Sequence, residues 1–338
     1  MGAATAVLAF GFDASVHVGD LVVRWQTVGL ALAALAGLAW SALIAGRTPA
    51  FETLIGKPRD HAAAAEQQDA ADQQDAGKRQ DAAGPGDTWH MRRDDLLFIV
   101  LGALPGAVIL GRLGYGLLHA DWYARDWRQL LDPAGGSLEL TGAVVGGTLT
   151  GIYVAALLDA PVGRWLHVAI RPLLLVLAVG KAAEVLGGGG QGALVLDGGP
   201  FATAYAGAGP WGSPGAELPA VPAQLLEAGM AAGVLVLVTV LGWWSGLRRA
   251  DGRLFAVGIA AWALGRALVA TTWRDAPVLG PLNVEQLICL VVAAVAAGTA
   301  LTATLVIRRR RHVNAHPREA VLGAEPVPEP DPEPRAAG

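Results

Sequence analysis

Four ionisable side chains stand inside long apolar stretches of the sequence: Arg112, Lys181, Glu184 and Arg266. A charge at bilayer depth costs about 2.5–3.5 kcal/mol on insertion, so each of these side chains needs a partner or a function. Lys181 and Glu184 are three residues apart, so on a helix they share a face and can pair. The spacing is compatible with a structural ion pair and equally with a functional site.

Cations outnumber carboxylates in these stretches, and a surplus of cations facing a bundle interior favours an anionic ligand. In a membrane that anion is a phospholipid phosphate, which arginine binds through two parallel hydrogen bonds. Arg112, Lys181 and Arg274 fall toward the same side of the membrane, so we expect a site that opens to the outer leaflet. Other charges stand near predicted helix ends and can reach the interface instead, namely Glu227, Arg274 and Glu285.

The elements that carry these residues are predicted to be membrane-spanning helices. The chain has 338 residues, 53% of them hydrophobic and only 16% charged, with a mean hydropathy of +0.44. This composition excludes an ordinary soluble domain. We predict an all-α, polytopic helical bundle with about seven spans of roughly 20 residues each: Leu21–Ala45, Leu96–Leu118, Leu140–Leu158, Trp165–Leu186, Gln224–Gly246, Leu254–Trp273 and Val284–Ile307.

Lysine and arginine collect in alternate connections, which sets the orientation of the bundle. The basic segments follow the first, third, fifth and seventh spans, whereas Gly187–Val221 has no lysine or arginine. We therefore expect the N-terminus outside and the C-terminus in the cytoplasm. No basic patch interleaved with aromatic residues suggests nucleic-acid binding. No metal-binding or cofactor motif stands out, and we expect neither a metal nor a cofactor.

Three regions divide the predicted chain: an outer segment 1–20, a seven-span domain 21–307 and a cytoplasmic tail 308–338. A polar insertion at 47–93, rich in Ala, Gln and Asp, interrupts the domain, and the tail is first basic and then rich in Pro and Glu. Gly187–Val221 is either a loop that lies on the membrane surface or covers a cavity, or a flexible linker. Cys289, in an apolar run, is interpreted as a buried small side chain.

Several motifs in order along Leu21–Ile307 resemble the bacterial prolipoprotein diacylglyceryl transferases. They are "RWQTVGLALA" (Arg24–Ala33), "LGRLGYGLLH" (Leu110–His119), "GGSLELTGAVVGG" (Gly135–Gly147), "PAQLLEA" (Pro222–Ala228), "GRALVATTWRD" (Gly265–Asp275) and "LNVEQLICL" (Leu282–Leu290). The resemblance implies a seven-span bundle with its N-terminus outside, in the inner membrane of a bacterium. The small residues of Gly142–Gly151 favour close helix packing or a cavity.

The centre of the family's pattern is substituted in this chain. Where the family has Gly-Arg-x-Gly-Asn-Phe-x-Asn-Gly-Glu, this sequence has Gly180–Gly189, with Lys181 at the arginine and Glu184 at the first asparagine. The histidine of the family's His-Gly-Gly motif falls on Thr141. Other residues of the family pattern are retained, namely Arg112, Gln224, Glu227, Arg274 and Gln286.

The resemblance implies transfer of a diacylglyceryl group from phosphatidylglycerol to the lipobox cysteine of a prolipoprotein signal peptide. The catalytic residues it points to are Lys181, Glu184 and Thr141, and the phospholipid-binding residues are Arg112, Lys181, Arg266, Arg274, Gln224 and Glu227. Thr141 cannot act as a base near neutral pH, which leaves Glu184 or His119 for that role. Two alternatives stay open: an inactive relative that binds phospholipid or lipoprotein or assists an active paralogue, and a small-solute transporter.

Overall fold

A computed structural model of the chain describes residues 7–48, 93–132, 138–197, 201–207, 211–213, 215, 217–244, 247 and 250–315. The interior of the predicted insertion at 47–93 and most of the predicted tail at 308–338 lie outside the described residues. The predictions for those two segments therefore remain predictions.

Seven long helices carry the predicted spans, which confirms the polytopic helical bundle. They are α1 (Trp25–Ala45), α2 (Arg93–Leu118), α3 (Leu140–Leu157), α4 (Val162–Glu184), α5 (Ala223–Trp244), α6 (Arg253–Val269) and α7 (Val284–Ala315). Six of them are long and apolar enough to cross a membrane. The other is α4, which has 23 residues and contains Arg164, Arg171, Lys181 and Glu184.

The start of the first span and the end of the last differ from the prediction. Leu21–Arg24 forms strand β3, which pairs antiparallel with β2 (Ser15–Val18) around a turn at Gly19, and α1 begins only at Trp25. β-Branched residues in this apolar stretch favour the strand. At the other end, α7 continues beyond Ile307 to Ala315, because the arginines that follow the apolar run are themselves good helix formers.

Helices α2 and α3 form an antiparallel hairpin with very close backbone contact. A Cβ atom added to Gly146 would lie 2.6 Å from the carbonyl carbon of Gly106 and 2.8 Å from the Cβ of Leu110. The small residues of Gly142–Gly151 therefore serve close packing here. This hairpin makes few contacts with the remaining helices, apart from its outer end and a small apolar cluster near its inner end that includes Ala155 and Trp165.

The remaining helices pack as one group, with α4, α5, α6 and α7 around the main apolar core and α1 against α4. Ile170, Leu174, Val238, Leu254 and Trp262 are the large side chains at the centre of this core. The burial of these side chains against one another fixes how the helices are rotated relative to each other. That rotation brings the polar ends of five helices together at the outer side.

Candidate active site

The polar residues near the outer ends of α3, α4, α5, α6 and α7 meet in one place. Glu285 lies in the first turn of α7, and Glu139 caps the N-terminus of α3 through the backbone N–H groups of Thr141 and Gly142. Arg266 and Lys181 lie in the last turns of their helices, α6 and α4. Each charge therefore stands at the helix end whose dipole stabilises it.

Arg266 is buried and is surrounded by three carboxylates. Its Nε atom lies 2.8 Å from Glu285 Oε1, its NH2 atom lies 3.6 Å from Glu139 Oε1, and its NH1 atom pairs with Glu227. The guanidinium also lies over the ring of Trp273, 4.9 Å from the centroid. We call Arg266, Glu139, Thr141, Glu227 and Glu285 the Arg266 cluster.

Thr141 belongs to this cluster and is fully buried. Its hydroxyl donates to Glu285 Oε1 at 2.8 Å and accepts from Arg266 Nε at 3.1 Å. The Sγ atom of Cys289 lies 3.4 Å from the same Glu285 oxygen, so the thiol is a weak donor to the cluster and is buried as the sequence predicted. The Thr141 hydroxyl is thus occupied by protein groups on both sides.

The expected surplus of cations is wrong for this part of the molecule. The Arg266 cluster and the adjoining Lys181 and Glu184 together hold two cations and four carboxylates. Glu227 and Glu285 are buried rather than directed to the interface, because each reaches the buried guanidinium of Arg266. The sequence does not reveal this excess of carboxylates, because Glu139 precedes its helix and because Glu227 and Glu285 stand near helix starts.

Lys181 and Glu184, the Lys181 pair, lie beside the cluster but remain partly exposed. Lys181 Nζ is 3.0 Å from Glu184 Oε1 and 3.4 Å from Glu227 Oε2, so Glu227 links the pair to Arg266. The side chains of Lys181 and Glu184 are 16% and 23% exposed, whereas that of Arg266 is 4% exposed. The pair is therefore the part of this ionic network that an entering molecule can reach.

A cap built from the N-terminal segment and the connection after α4 covers the pair from outside. Strand β1 (Leu8–Gly11) pairs in parallel with β4 (Thr203–Ala206), and the Tyr205 ring lies between Phe10 and Trp211 at centroid distances of 5.3 and 4.9 Å. We call the described residues of the segments 7–24 and 187–221 the outer cap. The connection after α4 lies against the pair, since a Cβ atom added to Gly190 would lie 2.5 Å from Glu184 Oε2.

Tyr205 and Gln224 join the outer cap to the helices. Gln224 Nε2 donates to the Tyr205 hydroxyl at 3.1 Å, and both side chains are fully buried. Burial raises the pKa of the Tyr205 phenol above its ordinary value near 10, so the hydroxyl stays neutral. The Oε1 atom of Gln224 is buried and has no hydrogen-bond partner in the described structure. This oxygen atom can therefore accept a hydrogen bond from a bound molecule.

Two predicted phosphate ligands lie outside this network. Arg112 donates from Nε to Leu130 O at 2.7 Å and from NH2 to Gln129 O and Asp132 O at 2.9 and 2.8 Å. It thereby braces the connection between α2 and α3. Arg274 is exposed beyond α6 and donates to Gly192 O at 2.7 Å, which ties the outer cap to that end of the bundle.

Sequence reasoning missed Glu139 and Tyr205 as members of the site. Glu139 had a local signal, because acidic residues are enriched at the starts of helices, where the helix dipole favours negative charge. Tyr205 had none, since its place depends on a parallel strand pair between residues almost 200 positions apart. Only tertiary structure brings its hydroxyl to Gln224.

Comparison with known proteins gives the family context of this site. A family model described as prolipoprotein diacylglyceryl transferase matches residues 77–302. The phosphatidylglycerol–prolipoprotein diacylglyceryl transferase of Clostridioides difficile strain 630 is 23% identical over 201 residues, which cover 60% of this chain and 75% of that protein. Proteins of the same name from Bacillus cereus strain G9842 and Bacillus mycoides strain KBAB4 are 26% and 25% identical over 96 residues. In both, this match covers 28% of the chain and 36% of the relative.

Proposed function

Because the chain belongs to the prolipoprotein diacylglyceryl transferase family, we propose that it transfers the diacylglyceryl group of phosphatidylglycerol to the lipobox cysteine of prolipoproteins. The matched relatives carry this activity in their names. The multi-pass bundle provides the membrane setting, and bacterial relatives favour the inner membrane of a bacterium. The reaction would take place at the outer side, beneath the outer cap.

The observation that carries the proposal is the position of Lys181. Its ammonium group is partly exposed, stands next to a buried ionic cluster and is held by Glu184 and Glu227. A cation fixed in this way stabilises negative charge on the phosphate that leaves during transfer. Lys181 also stands where the family pattern has arginine, so the required charge is retained in a different side chain.

Glu184 is the acceptor that we assign to the thiol proton. The thiolate is the nucleophile, so the lipobox cysteine must lose its proton before or during attack. Its sulfur then forms a bond to the glyceryl carbon, the bond between that carbon and the phosphate oxygen breaks, and glycerol phosphate leaves. Glu184 is the most exposed of the four carboxylates, whereas Glu139, Glu227 and Glu285 are occupied by Arg266.

Gln224 supplies a hydrogen-bond acceptor for the lipid headgroup. Its Nε2 is fixed by Tyr205, and its Oε1 is buried without a donor. A buried acceptor without a donor costs about 1–3 kcal/mol, and a substrate hydroxyl would remove that cost. The free glycerol of phosphatidylglycerol carries such hydroxyls, so Gln224 is assigned to that headgroup.

The test is transfer of labelled diacylglyceryl from phosphatidylglycerol to a lipobox peptide by the purified full chain. We expect Lys181→Gln to lower the rate by about a hundredfold or more, the usual effect of removing a group that stabilises developing charge. Lys181→Arg should keep the rate within about tenfold, because a guanidinium also carries the charge. Arg47→Gln, an exposed change at the opposite end of α1, is the control and should match the unaltered chain.

The second candidate is a non-catalytic relative that binds phospholipid or lipoprotein. The contact of each guanidinium nitrogen of Arg266 with a carboxylate favours this function, since a phosphate would have to displace one of these carboxylates. Folded protein that transfers no label but retains phosphatidylglycerol would identify this function. Loss of the retention in Lys181→Gln would then assign the lipid to the same outer site.

A further inference from the structure

A further cation, Arg171, lies in α4 on the cytoplasmic side of Lys181, and its side chain is half-buried. Arg171 is nine residues from the inner start of α4, about 13 Å along the helix, and ten residues before Lys181. Its guanidinium nevertheless lies over Gly242, two residues from the inner end of α5. A Cβ atom on Gly242 would be 3.4 Å from Arg171 Cζ. The side chain therefore extends along the helix toward the cytoplasmic side.

Arg171 and its neighbour His167 lack partners for buried nitrogen atoms. The two residues are four apart, so they share one face of α4. Arg171 Nε and His167 Nδ1 are buried, and neither has a hydrogen-bond partner in the described structure. The carboxylate of Asp251, on the same side, is already held by Arg253 at 2.8 Å. Arg171 Nε is a donor that needs an acceptor, and His167 Nδ1 on the same face can donate to one in the tautomer that carries its proton there.

We propose that Arg171 and His167 form a binding site for a phosphate group, filled by the headgroup of an anionic phospholipid from the cytoplasmic leaflet. A charge at this depth is costly unless an opposite charge or water accompanies it. A phosphate diester offers several oxygen acceptors and matches the planar donor edge of arginine. The helix ends around the site are rich in arginine, which concentrates anionic lipids at this face.

The glycine at position 242 is part of the site. Any side chain there would occupy the space of the Arg171 guanidinium, and its Cβ atom would also lie 3.3 Å from Leu254 Cδ2 of α6. Because Gly242 has no side chain, it leaves space for the Arg171 guanidinium between α4, α5 and α6 and brings no carboxylate to it. The site is independent of the transfer reaction proposed above, because all of its residues are on the inner side.

The experiment uses the full chain in nanodiscs that contain a photoactivatable phosphatidylglycerol, with the crosslinked peptides identified by mass spectrometry. We expect crosslinks to the inner parts of α4 and α5, and Arg171→Gln should reduce them by about tenfold, as loss of a charge-assisted hydrogen bond does. Arg308→Gln removes an exposed arginine on the same face and should leave them unchanged. Equal yields in Arg171→Gln and the unaltered chain would overturn the proposal.

Two further arms identify the ligand and guard against misfolding. Gly242→Ala keeps the charge but displaces the guanidinium, so it should also lower the crosslinks, while the crosslinks of the outer site stay as they are. Photoactivatable phosphatidylcholine should crosslink these peptides weakly. Equal labelling by the two lipids, or complete competition by millimolar inorganic phosphate, would overturn a lipid headgroup as the occupant.

Discussion

The Arg266 cluster and the Lys181 pair are neighbours that share Glu227, yet they differ in access and in composition. Arg266 has three carboxylates, a threonine hydroxyl and a tryptophan ring around it and is almost completely buried. Lys181 has two carboxylates and remains partly exposed beneath the outer cap. The first region joins four helices, and the second faces the space that a substrate would enter.

The difference shows that one ionic network in a membrane protein can contain a buried part that stabilises the fold and an accessible part that can react. A buried ion stabilises a fold only when its partners replace nearly all of its solvation, and Arg266 satisfies that condition. Lys181 keeps some solvent contact, so an incoming phosphate can compete for it without first breaking a buried pair.

The largest effect is expected from Arg266→Met. It leaves Glu139, Glu227 and Glu285 buried without their shared counter-charge, which should lower the free energy of unfolding by about 3–5 kcal/mol. Thermal unfolding of the detergent-solubilised chain measures this loss. Arg125→Met, an exposed change in the connection between α2 and α3, is the control and should have a small effect. If both variants unfold at the same temperature, the Arg266 cluster does not hold the helices together.

A smaller effect is expected from Gly146→Ala, which tests whether the α2–α3 hairpin positions Glu139 and Thr141. The added methyl group meets the Gly106 backbone, so the helices must separate at a cost of about 1–3 kcal/mol. Thermal unfolding of the detergent-solubilised chain measures this cost as well. Gly298→Ala in α7 meets no atom within 4 Å and should be neutral or stabilising by up to about 1 kcal/mol. Equal stability of the two variants would contradict the close packing.

The smallest effect is expected from Tyr205→Phe, which concerns only the region of the Lys181 pair. Loss of the hydroxyl leaves Gln224 Nε2 buried without an acceptor, at a cost of about 1 kcal/mol. Because Gln224 then loses its orientation, the transfer rate should fall by more than the stability change alone accounts for. Tyr153→Phe, on an exposed face of α3, is the matched control and should change neither quantity. An unchanged rate in Tyr205→Phe would remove Gln224 from the headgroup site.

The helices were predictable because their signal is local. About 20 consecutive apolar residues can satisfy their backbone in lipid only as a helix, so composition alone locates α2, α3 and α5 to within a few residues. The start of α1 was wrong because β3 is apolar too, and hydropathy does not separate an apolar strand from the first turn of an apolar helix. Pairing with β2 decides that boundary.

The ionic residues show which contacts local sequence spacing predicts and which it does not. The sequence by itself determined that Lys181 and Glu184 share a helix face and can pair, because they are three residues apart, and the structure confirms the pair. The sequence could not determine that Arg266 meets Glu139, Glu227 and Glu285, since these residues belong to different segments. Only the rotation and depth of each packed helix, set by the apolar core, decided which charges are buried together and which remain open to a substrate.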